Sequence, residues 1–188
     1  MPILRDHALV GGTALALRYG HRLSVDLDLF GGTFDHDAIR DALKEEFGTS
    51  FHYEPGRGTA IGLFCFVGAV KVDIVKYPHA RIAELERHGP VRMYADPDIA
   101  AMKIQALLGR GKKKDFWDLY TLLQHHDLST IMGWHRAKYP DQMLAISIPS
   151  AVAYFTDAED SEDPVSLQGQ TWEGVKASIQ KVVRDYLS

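Results

Sequence analysis

The stretch Gly11-Gly12-Thr13-Ala14-Leu15-Ala16-Leu17-Arg18-Tyr19-Gly20-His21-Arg22-Leu23-Ser24-Val25-Asp26-Leu27-Asp28-Leu29-Phe30 decides how the chain is read. A paired glycine opens it. Residues 13–19 then favour a short helix, with Thr13 as its N-cap and Gly20 as its stop. Residues 23–30 alternate polar and apolar, which predicts a strand ended by Gly31-Gly32. On a strand, Asp26 and Asp28 share one face while Val25, Leu27 and Leu29 pack on the other. Two carboxylates held that close repel each other unless a cation sits between them. Hard divalent ions such as Mg²⁺ or Mn²⁺ favour oxygen donors of this kind. Alone, an Asp-x-Asp is as readily a pair of solvated acids on an exposed face.

Two neighbouring features weigh against the solvated reading. Gly11-Gly12 leads into a helix N-terminus, where bare backbone N–H groups and the helix dipole favour a phosphate. Further on, Val72-Asp73-Ile74-Val75 sets an acid inside an apolar strand, which is costly unless it is metal-bound or paired with Lys71 or Lys76. Glycine pair, short helix, an hDhDh strand and a later hDh strand (h apolar) follow in order. That order resembles the catalytic signature of polymerase-β-type nucleotidyltransferases. The resemblance implies that Asp26, Asp28 and Asp73 hold two metals, and that Gly11, Gly12 and Thr13, with Arg22 and Ser24 nearby, hold the phosphates of an NTP.

Around this centre, helical periodicity covers residues 35–47, and strand-like runs cover 50–54, 60–67 and 70–76. Near Asp96 the character changes. Helices are expected over 97–108, 116–125, 129–138 and 171–187, with an acidic loop over 157–164. The fold class is therefore α+β: a nucleotidyltransferase-like core over residues 1–95 and an all-helical region over 96–188 that completes the site. No internal repeat is visible.

Composition sets the outer bounds. Hydrophobic residues make up 46% and charged residues 24% of the chain, the balance of a globular protein. There is no run of the roughly 20 apolar residues that a membrane span needs, and no signal peptide is read, so the expected location is the cytoplasm. A single cysteine, Cys65, excludes an internal disulfide and a zinc cluster, and its apolar neighbours mark a buried strand position. The net charge of −4 argues against broad nucleic-acid binding but leaves room for a local basic site.

The downstream motifs have chemistry of their own. Lys103 is flanked on its helix face by Ile99, Ala100, Ala106 and Leu107, so its ammonium needs an anion, a triphosphate or a site aspartate, unless it reaches water along the helix. Asp115 and Asp118 lie one turn apart; they orient Lys103 or the acceptor, or simply favour a helix N-terminus. Arg110, Lys112, Lys113 and Lys114 form the densest basic run, a solvated loop that beside a nucleotide site would contact RNA phosphates. Arg18, His21 and Arg22 are placed to neutralise phosphate charge. His125-His126-Asp127 sits at a helix end, a capping position rather than a metal site. Trp117, Tyr120, Trp134 and Tyr139 fit helix packing.

The wording of these segments narrows the resemblance. The stretches 11–17, 20–22 and 24–30, then Asp96-Pro97, Met102-Lys103 and the run 110–120, are similar to the AbiEii/AbiGii toxin family of nucleotidyltransferases, over roughly residues 9–123. Members of that family act as toxins of bacterial toxin–antitoxin or phage-defence systems, and some transfer nucleotides to tRNA. The resemblance implies NMP transfer from an NTP to an acceptor hydroxyl, of RNA and plausibly a tRNA end, with a cognate antitoxin encoded nearby. It also implies catalytic roles for Lys103, Asp115 and Asp118. Ten residues precede Gly11, so any N-terminal helix of longer relatives is expected to be missing or truncated. The rival readings are a catalytically silent nucleotide-binding partner on the same fold, and a sugar-nucleotide glycosyltransferase, for which the sequence shows no large nucleotide-binding domain of the kind such enzymes carry.

Overall fold

The paired glycines join a strand to a helix without a loop. In the computed structural model, which describes residues 1–56 and 60–188, strand β1 (Ala8–Val10) passes directly into helix α1 (Gly11–Tyr19). Gly11 makes the turn in the left-handed region at φ 72°, and Gly20 closes the helix at φ 59°. The helix therefore starts two residues before Thr13, which is not its N-cap. The strand expected over 23–30 forms only as β2 (Leu27–Gly31). The chain ahead of it is drawn elsewhere: Arg22 bridges to Ser166, and the Leu23 N–H donates to the Val165 carbonyl. Val25 is accordingly 71% exposed rather than packed.

After β2 come helix α2 (His36–Phe47), whose N-terminus Asp35 caps by accepting from the Ala38 N–H, and strands β3 (Phe51–Tyr53), β4 (Gly62–Val67) and β5 (Val70–Lys76). Two short strands follow, β6 (Glu86–His88) and β7 (Val91–Met93). Among the described residues these make one seven-stranded mixed sheet in the order β3-β4-β5-β2-β1-β7-β6. β2 runs parallel to β5 and β1 parallel to β7, while the other pairs are antiparallel. The helical part comprises α3 (Asp96–Gly109), α4 (Lys113–Leu123), α5 (Leu128–Lys138), α6 (Ile148–Val152) and α7 (Trp172–Leu187).

Two apolar cores hold these layers. Helix α2 covers one face of the outer strands with Ile39 and Leu43, against Leu63, Cys65, Val72 and Ile74. Cys65 is buried there, donates to the Val72 carbonyl at 3.3 Å, and is pushed up to about 11 by burial and then by the charge of Asp73. It is a packing residue, as its apolar neighbours indicate. The larger core draws on both sides of position 95, with Val10, Leu15 and Met93 packed among Ile99, Trp117, Val152 and Ile179. Asp98 on α3 and Lys138 on α5 form a fully buried ion pair at 2.6 Å. No helix among the described residues is long and apolar enough to cross a membrane.

Candidate active site

Asp28 on β2 stands in register with Asp73 on β5, side by side on the sheet face opposite α2. Asp26 precedes the ladder, and its position is fixed from α1: the Thr13 hydroxyl donates to the Asp26 carbonyl and shares a 2.8 Å hydrogen bond with the Ser24 hydroxyl. Thr13 is thus buried and holds the acidic segment rather than facing the cleft. Burial, and then the charge of Asp73, raise the Asp28 carboxyl above its ordinary value, against the opposing charges of Lys71, Lys103 and Lys114. Asp73 itself ion-pairs through Oδ2 with Lys71, two residues earlier on the same strand face, while its Oδ1 is buried without a hydrogen-bond partner. No three His, Cys, Asp or Glu side chains among the described residues, the expected trio Asp26, Asp28 and Asp73 included, are grouped as they would be around an ion.

The glycines are required where they stand. A Cβ at Gly11 would meet Asp28 Oδ2 at 2.9 Å, in a backbone conformation already unfavourable to other residues. A Cβ at Gly12 would meet Arg22 Nη2 at 2.0 Å. Arg22 is locked beneath the turn by Asp118, donating from Nε to Oδ1 at 2.7 Å and from Nη2 to Oδ2 at 2.9 Å. Asp118 also takes His21 Nε2 at 2.7 Å and Lys103 Nζ at 2.6 Å, and Lys103 reaches Asp115 Oδ1 at 2.9 Å. All five side chains are buried. Burial alone would raise the Asp118 carboxyl; the Lys103 charge and the hydrogen bonds from His21 and Arg22 instead hold it well below the usual carboxylate range. The Lys103 ammonium, which burial alone would depress, is raised by Asp118 and Asp115. Two of its three N–H groups are engaged by these acids, which leaves one for the cleft it lines.

That cleft has a volume of about 370 Å³. Gly11, Gly12, Ser24, Asp26 and Asp28 form one side, and Lys103, Gln105, Arg110 and Lys114 the other. Phe30, Tyr77 and Tyr139 also line it, with the two tyrosine hydroxyls 2.6 Å apart. Tyr139 is therefore a cleft residue as well as a packing one.

Several side chains fall elsewhere than their types suggest. Arg18 pairs with Asp96 and Glu86 and donates to the Tyr94 carbonyl, away from the cleft. His21 is consumed by Asp118. The basic run is divided: Lys113 begins α4, is buried, and pairs with Asp163 at 2.7 Å, whereas Lys112 is exposed and Arg110 and Lys114 face the cleft. His126 bonds Asp96 at 2.8 Å, and Asp127 caps α5. Lys71 is the site neighbour whose role the sequence signalled only weakly, through its two-residue spacing from Asp73.

Residues 4–137 match the family described as nucleotidyl transferase AbiEii toxin, type IV TA system. An uncharacterized protein of Aquifex aeolicus (strain VF5) is 32% identical over 192 residues, covering 98% of this chain and 90% of its own length. Among solved structures, the chain resembles JHP933 from Helicobacter pylori with a TM-score of 0.60 at 18% identity, covering 95% of this chain and 82% of the other. It also resembles MenT4, the nucleotidyltransferase toxin Rv2826c of Mycobacterium tuberculosis H37Rv, with a TM-score of 0.62 at 16% identity, covering 96% of this chain and 76% of that one. These two likenesses establish the fold.

Proposed function

The chain belongs to the AbiEii family of nucleotidyltransferase toxins, and on that premise we propose that it moves the NMP unit of an NTP, with a divalent cation, onto a hydroxyl of an RNA acceptor such as a tRNA end. The observation that carries this reading is the in-register pair Asp28 and Asp73 beside a cleft that opens on the N-terminus of α1.

The donor set suits a hard cation. The Asp28 carboxyl is raised by burial and then by its acidic neighbour, Asp73 Oδ1 is buried without a partner, and both features are relieved by positive charge between the strands. The competing Lys71–Asp73 pair involves a lysine side chain 42% exposed, so its attraction is partly screened by water and a divalent ion would compete with it. Asp26, Asp28 and Asp73 would hold the cation, Mg²⁺ or Mn²⁺. When bound, it neutralises phosphate charge and eases ionisation of the attacking hydroxyl.

The chain's own groups do the remainder. The free N–H groups of Gly11 and Gly12, with Arg110, Lys114 and the third N–H of Lys103, receive the β- and γ-phosphates. Arg22 and Asp118 keep that turn rigid from below. The acceptor oxygen forms a bond to the α-phosphorus as the bond from that phosphorus to the bridging oxygen breaks, and pyrophosphate leaves with the electron pair. The hydroxyl proton passes to Asp73. Lys112 is the member of the basic run left to meet RNA phosphates, since Lys113 is occupied by Asp163 and Arg110 and Lys114 line the cleft. An antitoxin encoded nearby is the expected partner of such a toxin.

Asp26→Asn, Asp28→Asn and Asp73→Asn should each abolish transfer of label from an α-labelled NTP to RNA, and chelation of divalent ions should do the same in the wild-type protein. Full transfer by any of the three variants with an unchanged melting curve would refute the mechanism. A silent nucleotide-binding partner, the reading that the Lys71–Asp73 pair favours, would bind NTP and transfer nothing.

A further inference from the structure

Among the described residues, the outer edge of the sheet face that carries Asp73 is partly open to solvent. Helix α2 packs on the other side, where Leu63, Cys65, Val72 and Ile74 are buried. Water on a bare antiparallel face normally selects polar side chains. Here the register puts Phe64 opposite Asp73 and Phe66 opposite Lys71, with His52 opposite Phe66. Phe66 is 48% exposed. Phe64, Phe66 and Tyr53, with His52 and Lys71 and the acids Glu54 and Asp73, line a hollow of about 420 Å³, the size of a small-ligand site.

Asp73 belongs to this hollow, whereas Asp26 and Asp28 belong to the cleft with the glycine turn. Asp28 and Asp73, in register on neighbouring strands, thus stand on adjoining walls of two hollows, one rich in phosphate-binding groups and the other aromatic. We propose that the outer hollow is the acceptor subsite, taking an unstacked nucleobase at the end of a single RNA strand against Phe66 and Phe64. The assignment rests on the nucleotidyl-transfer reading for its orientation: the hydroxyl of that terminal nucleotide would lie at Asp73, facing the NTP across these walls. An exposed ring, Phe66, beside the half-buried Phe64 and flanked by Lys71 and His52, has the elements of a single-strand platform, in which bases stack on aromatic faces and cations follow the backbone.

The test uses the full chain and a short single-stranded RNA with a fluorophore at one end and a free ribose diol at the other. Phe66→Ser alters an exposed side chain, so the fold survives. It should weaken RNA binding by about tenfold, the scale of one base–aromatic stack, while NTP binding is unchanged. Phe66→Trp should restore RNA binding. Unchanged RNA affinity in Phe66→Ser overturns the assignment, as does an NTP affinity that falls in step. So does a wild-type protein that holds the single strand no more tightly than a blunt duplex, or a labelled product that is protein. RNA binding that depends on Phe66 in the absence of label transfer supports the subsite and removes the reaction instead.

Discussion

Lys103 illustrates what a single residue discloses. Its apolar helix neighbours require an anion for the ammonium, and the structure supplies two, Asp115 and Asp118. That requirement was legible from spacing on one helix. The identity of the anions was not, because it depends on how α4 crosses α3. Arg22 and Asp118 were equally unreadable as a pair, being 96 residues apart. Thr13 shows the reverse case: an N-cap residue type whose hydroxyl is used by the Asp26 carbonyl because the helix starts at Gly11. Replacing Lys103 with Met leaves Asp118 with Arg22 but reduces Asp115 to Arg110 at 3.7 Å. Breaking a buried pair in this way costs about 3 kcal/mol, and the melting temperature should fall by roughly 10 °C without nucleotide. A melting temperature within about a degree of wild type would show that Asp115 needs no buried partner.

Among elements, those with caps or strong periodicity matched their expected ranges. β5 occupies residues 70–76 as read, and α2, α5 and α7 begin after Asp35, Asp127 and Thr171, which accept from their first-turn N–H groups. Strands β1, β6 and β7 have three residues each and α6 has five, too few for a period to show. They exist because neighbours pair with them: β1 lies between β2 and β7. The segment after β5 is held by α3 instead of by a ladder. Asp98 accepts from the Ile82 N–H at 3.1 Å and the Ala83 N–H at 3.0 Å, and Lys138 donates to the Ala80 carbonyl at 3.1 Å. In Asp98→Ala those two amides lose their acceptor and Lys138 is stranded. Hydrogen exchange at Ile82 and Ala83 should accelerate at least tenfold, with β2 and β5 protected to the same relative rank. Unchanged exchange at both amides would mean that the segment is held by other contacts.

For the whole molecule, the Asp118 cluster ties the segment after α1 to α3 and α4. An unfolded aspartate takes up its proton near pH 4. In the folded protein Asp118 resists protonation far below that, so its contribution is complete above about pH 4 and is lost as the pH falls toward the folded value. Asp118→Asn should therefore be less stable at neutral pH and show a flatter decline between about pH 4 and pH 2, measured by urea melts; an equally steep decline would assign acid sensitivity to other carboxylates. The architecture as a class was readable from the order of motifs, but the sharing of one core across position 95 was not, because sequence separates what packing joins. The register of Asp28 with Asp73 carries a last consequence. Side chains on a strand alternate, so a one-residue insertion or deletion inside β5 would send one acid among Ile39, Leu43 and Leu63 and bring an isoleucine or valine to the cleft. The connection from 32 to 35, between β2 and α2, has no such phase to keep. Length variation among natural relatives should collect in that connection and be purged from the two strands, so that a ladder of five paired residues acts as the reading frame of the chemistry.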